Sequence, residues 1–83
     1  MRNIQAEKRI EKILATRFDL DTAQVDVTVL GEEAEVTGVF LARATGAPVS
    51  DLQSKDIQRF FNSNAVEGVR RYVFHLRSAH ATF

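Results

Sequence analysis

The stretch Val25-Asp26-Val27-Thr28-Val29-Leu30-Gly31-Glu32-Glu33-Ala34-Glu35-Val36-Thr37-Gly38-Val39-Phe40-Leu41 decides the fold. In its first six residues valine returns at every second position, with Asp26, Thr28 and Leu30 between. A period of two in β-branched residues belongs to a strand with one buried face; a helix would scatter these valines around its circumference. Gly31-Glu32-Glu33 is short and polar, and Ala34, Val36, Gly38 and Phe40 then resume the alternation. The reading is a β-hairpin with strands near 25–30 and 34–41. Gly38 falls within the second strand, where glycine marks a bulge or the close approach of a helix.

Upstream, Ala6, Ile10, Ile13, Leu14 and Phe18 recur at helical spacing, with Glu7, Lys8, Glu11 and Lys12 on the opposite side. That pattern predicts an amphipathic helix near 3–18, stopped by Asp19-Leu20-Asp21-Thr22. Downstream, the segment 43–49 holds Gly46 and Pro48 and has no period, so it reads as a loop more mobile than its surroundings. Ser50 and Gln53 have the form of a capping box ahead of Ile57, Phe60 and Phe61. Leu52 is out of register with that face, which places the helix start near 53, and Asn62-Ser63-Asn64 ends it. Tyr72, Phe74 and Leu76 alternate with Val73, His75 and Arg77 in a third strand near 69–76. Residues 4–77 form the expected ordered core and 78–83 a frayed tail.

The fold class is therefore α+β, in the order αββαβ. A helix between the second and third strands demands a right-handed crossover, and both helices then cover one face of a three-stranded sheet. Eighty-three residues suit one domain with one core. Eleven basic residues balance eleven acidic ones, so no global field gathers nucleic acid or an anionic membrane. The absence of cysteine excludes disulfides, thiolate chemistry and all-cysteine zinc sites. No apolar run has the length of a membrane span, and the polar opening residues lack a signal-peptide core. The expectation is a cytoplasmic chain as it stands, or a periplasmic one if an export segment has been removed.

Val66, Gly68, Val69, Tyr72 and Leu76 form a closing pattern of Val-x-Gly-Val, two spacers, an apolar residue, and leucine four positions on. Val36, Gly38 and Phe40 form an apolar-x-Gly-x-apolar run. Over roughly residues 10–77 the chain resembles the BON domain, a small αββαβ bacterial module of periplasmic and envelope proteins. Its connection from Gly38 to the second helix is longer than that family's. The resemblance implies a non-catalytic assembly role, associated with the envelope or with lipid. Ring-building domains of secretion systems share the same order of elements.

No constellation for catalysis, cofactor or metal emerges. His75 and His80 are five apart without an acidic neighbour, and His75 alternates out of the core face. Asp19, Asp21 and Asp26 lack the turn glycine and terminal glutamate of a calcium loop. Gly31, Gly38, Gly46 and Gly68 have neither phosphate-loop nor dinucleotide spacing. Lys55, Arg70, Arg71 and Arg77 offer a basic patch for a secondary, KH-like nucleic-acid reading, although the Gly-x-x-Gly of that module is missing. The leading reading is a protein partner or self-association, through the open sheet face or an edge strand. If Val36 and Phe40 face the helices, then Leu30, Val39, Leu41 and Val73 share the uncovered sheet face, and four apolar residues there mark a partner surface.

Overall fold

A computed structural model describes residues 1–77; the expected frayed tail at 78–83 and His80 lie outside the described residues. The hairpin is present. Strand β1, Val25–Leu30, runs antiparallel to β2, Glu33–Gly38, with Val27 opposite Val36 and Leu30 opposite Glu33. Only Gly31 and Glu32 remain for the turn, and Gly31 takes φ 60, a left-handed value that glycine adopts without a Cβ penalty.

Helix α1, Ile4–Thr16, is capped by the Asn3 side chain, which accepts the Ala6 N–H at 3.1 Å. It ends where Asp19 turns to φ 54, a conformation that aspartate tolerates better than most residues. Helix α2, Asp51–Ser63, carries the full capping box, with Ser50 and Gln53 each accepting the other's backbone N–H at 3.1 Å. The helix starts at Asp51, before the expected 53. The cap fixes its first turn, and Leu52 simply points to solvent. Strand β3, Arg71–Leu76, runs parallel to β2, as a connection containing a helix requires. The sheet order is β1-β2-β3.

Both helices pack on one sheet face. Ala6, Ile10 and Leu14 of α1, Ile57 and Phe61 of α2, and Val25, Val27, Val29, Ala34 and Val36 of the strands form one buried cluster. Three features depart from the sequence reading. β2 stops at Gly38, not at 41, because Gly38 adopts φ 119 and turns the chain out of the ladder. Its close neighbour is the backbone of Gln24, the last residue of a single-turn 3-10 helix, Thr22–Gln24, that leads into β1. The segment after it is a loop, as read, but one closed on itself by main-chain bonds. Ala42 N–H donates to Ala47 C=O (2.8 Å) and Val49 N–H to Phe40 C=O (3.0 Å), with Leu41 opposite Pro48.

The third departure is Glu7, assigned above to the solvent side of α1 and found 5% exposed. Its carboxylate accepts the Val29 N–H at 2.9 Å and the Arg2 guanidinium at 2.6 and 3.0 Å. The hydrogen bond from Arg2 holds the Glu7 carboxyl below its ordinary range; burial opposes this and the Val29 N–H assists it. A carboxyl lowered on folding stabilises the protein above its unfolded value, and that contribution disappears as pH falls through the folded value. In urea titrations, Glu7→Ala should therefore cost about 1–3 kcal/mol, the range for leaving a buried amide unsatisfied. Glu7→Gln should flatten the acid limb of the stability–pH curve. An unchanged acid limb would assign that limb to other groups.

Candidate functional site

The two edges of the sheet differ. On β1, alternation turns the main-chain groups of Val25, Val27 and Val29 away from β2; those of Val29 are covered by Asn3 and Glu7, and the Val25 N–H donates to Thr22 C=O. Asn3 N–H donates to Val29 C=O (2.8 Å), Gly31 N–H donates to Met1 C=O (3.2 Å), and Glu7 takes the Val29 N–H. Charge and short local pairing are common ways of protecting an edge strand.

On β3, Arg71 N–H donates to Glu32 C=O (3.2 Å) and Arg77 N–H to Gly38 C=O (2.7 Å). These bonds fix the phase of the strand. The main-chain groups of Arg71, Val73, His75 and Arg77 face β2, and those of Tyr72, Phe74 and Leu76 face outward. The outward groups have no main-chain partner among the described residues. The side chains of the same three residues are half-buried on the helix-covered face, with the Phe61 ring tilted against Tyr72 and Phe74 at centroid separations of 5.5 and 6.2 Å. Beside them, Asp51, Ser54, Lys55 and Gln58 of α2 form the far wall of a groove whose near wall is Phe74 and Leu76. Its volume, about 300 Å³, lies at the bottom of the range for small-molecule sites. An open groove of that size suits side chains from an extended segment. A second cleft, lined by Phe18, Leu20, Val49 and Ile57, is smaller at about 220 Å³ and has no comparable row of open main-chain groups.

The structure does not bring the four expected partner-surface residues together. Leu30 stands on the open face at the hairpin end, 56% exposed, and Val73 is half-buried on the same face. Val39 and Leu41 follow Gly38 and have left the sheet: Val39 N–H donates to Gln24 C=O (3.1 Å), and Leu41 C=O accepts the Asp21 N–H (2.9 Å). The open face is instead mainly polar, with Asp26, Thr28, Glu33, Glu35, Thr37, Arg71 and His75 sharing it by register. Arg71 lies 3.7 Å from Glu33, and His75 lies 3.7 Å from Glu35 and is exposed, as its alternation indicated.

The basic residues also spread out. Arg70 and Arg71 sit at the entry of β3, where Arg70 faces Glu32 at 3.8 Å. Arg77 lies at its exit, about 20 Å away for six residues of strand. Lys55 belongs to the groove rim near Leu76. Sequence reasoning allowed an edge strand as a partner route but did not fix which strand or which residues, because the exposure of the β3 edge depends on strand order. Among the described residues no group of acidic and histidine side chains is placed to hold a metal, and no helix is long and apolar enough to cross a membrane. Comparison of the chain with protein-family models, curated proteins and solved structures finds no match.

Proposed function

We propose that the chain is a non-catalytic protein-interaction module, and that its working surface is the outer edge of β3 with the groove beneath it. The observation that carries this reading is the row of outward main-chain groups at Tyr72, Phe74 and Leu76, beside half-buried aromatic side chains. An exposed edge of this kind is completed by a strand from elsewhere: main-chain hydrogen bonds supply affinity and alternate side chains enter the groove. The one buried charged side chain among the described residues, Glu7, is engaged by Arg2 and Val29, which supports a structural role for it over a catalytic one. The BON-like residues quoted above support a module of this class. The envelope or lipid association that the resemblance implies rests on those residues alone.

Peptides selected from a random library against the wild-type chain test the reading. Ser54→Trp fills the groove from α2 without entering the core. The selected peptides should lose at least about tenfold in affinity for this variant while circular dichroism stays unchanged, since the groove contacts make up a large part of such a small interface. Undiminished binding would place the working surface elsewhere.

A further inference from the structure

We infer that the partner at the β3 edge is an extended peptide alternating acidic and apolar residues, added as a fourth strand; this deepens the edge-binding reading above and rests on it. The chain already displays what β3 accepts, because β2 lies along its other edge. There the order is Glu33-Ala34-Glu35-Val36. Glu33 stands opposite Arg71 with the charged atoms 3.7 Å apart, and Glu35 reaches His75 at the same distance. Ala34 and Val36 stand opposite Tyr72 and Phe74 on the covered face.

A strand added at the outer edge meets the same β3 side chains from the other side. Arg71, His75 and Arg77 present cationic or protonatable groups at alternate positions on the open face, with the Arg71 side chain 76% and the His75 side chain 61% exposed. Cross-strand pairs of opposite charge are favourable and like charges directly opposite are unfavourable. Acidic residues therefore fit the open-face positions of the guest. Its intervening residues project over Phe74 and Leu76 into the groove, whose far wall carries one acidic and one basic side chain, Asp51 and Lys55, and so does not itself select charge. Apolar side chains fit there.

The same charges disfavour a second copy of this chain as occupant. Antiparallel pairing of β3 with itself about Phe74 sets Arg71 opposite the Arg77 of the other copy, at both ends of the contact. The edge is thus defended against self-pairing and open to a strand of opposite charge. A nucleic-acid strand has no alternating N–H and C=O groups with which to complete the ladder.

The test uses the full chain, isotope-labelled, and the end-blocked hexapeptide Glu-Ala-Glu-Val-Glu-Val. The peptide should shift the amide signals of Tyr72, Phe74 and Leu76 and slow their hydrogen exchange, with affinity falling as salt rises. Replacing its glutamates by lysine, or methylating alternate amide nitrogens, should weaken binding at least about tenfold. Equal binding of the lysine peptide would overturn the charge selection and leave the edge-binding reading standing. Failure of the acidic peptide, while library-selected peptides still bind in a Ser54→Trp-sensitive way, would overturn this inference alone. If no peptide of any sequence engages the edge, both readings fall. An oligothymidine that shifts Lys55 and Arg77 where the peptide shifts nothing would assign the surface to nucleic acid instead.

Discussion

Gly38→Ala is expected to remove about half of the protein's stability. A Cβ at this position would stand 2.2 Å from the Gln24 carbonyl oxygen and 3.1 Å from Val25 Cα, and both are backbone atoms with little freedom to move. The φ of 119 is also a conformation that residues with side chains rarely adopt. Strain of about 1–3 kcal/mol for the dihedral and about 1–3 kcal/mol for the overlap together come to about half the stability of a chain this size, about 4–12 kcal/mol. Gly46→Ala is the control, because Gly46 also has a positive φ, 72, but nothing within 4 Å of the added carbon. It should cost only about 1–2 kcal/mol. Equal losses for the two variants in urea denaturation would show that the close approach at Gln24 contributes nothing.

Phe61→Ala should have an effect of similar size, about 3–5 kcal/mol. Phe61 has no exposed surface, and its ring contacts Phe60, Tyr72 and Phe74 at 5.5, 5.5 and 6.2 Å between centroids. Truncation leaves a cavity between α2 and β3, the two elements that form the walls of the groove. The adjacent Phe60 is half-buried, edge-on to Phe18, and partly covered by the Arg17 guanidinium 4.4 Å from its ring centre. A side chain at the rim leaves less of a void, so Phe60→Ala should cost roughly half as much. Chemical denaturation of the two variants checks the order, and a reversal would mean that the inward face of α2 is misassigned.

The parts of the fold that could be read from sequence were those in which one strong period faced no competitor. The valines at 25, 27 and 29 fix the phase of β1, and with it the exposure of Leu30. The same alternation carried through Ala34 and Val36 but overran the strand. The pattern continues to Phe40, which is buried at 3% exposure, while the backbone has already turned at Gly38. Side-chain period reports burial, and burial persists beyond the last ladder bond. Glu7 escaped notice for a different reason: a glutamate on a polar helix face is normally solvated, and its partners, Arg2 and the Val29 amide, meet it only through tertiary packing. The β3 edge was illegible because Tyr72, Phe74 and Leu76 read identically in a central strand and in an outer one. Strand order decides between them, and no local pattern encodes it.

Amide hydrogen exchange along β3 in the isolated protein tests the central claim most directly. An uncovered edge predicts alternation: Val73, His75 and Arg77, whose N–H groups face β2, exchange slowly, whereas Tyr72, Phe74 and Leu76 exchange much faster. Slow exchange at all six positions would mean that the outer edge of β3 is already paired, contradicting the account.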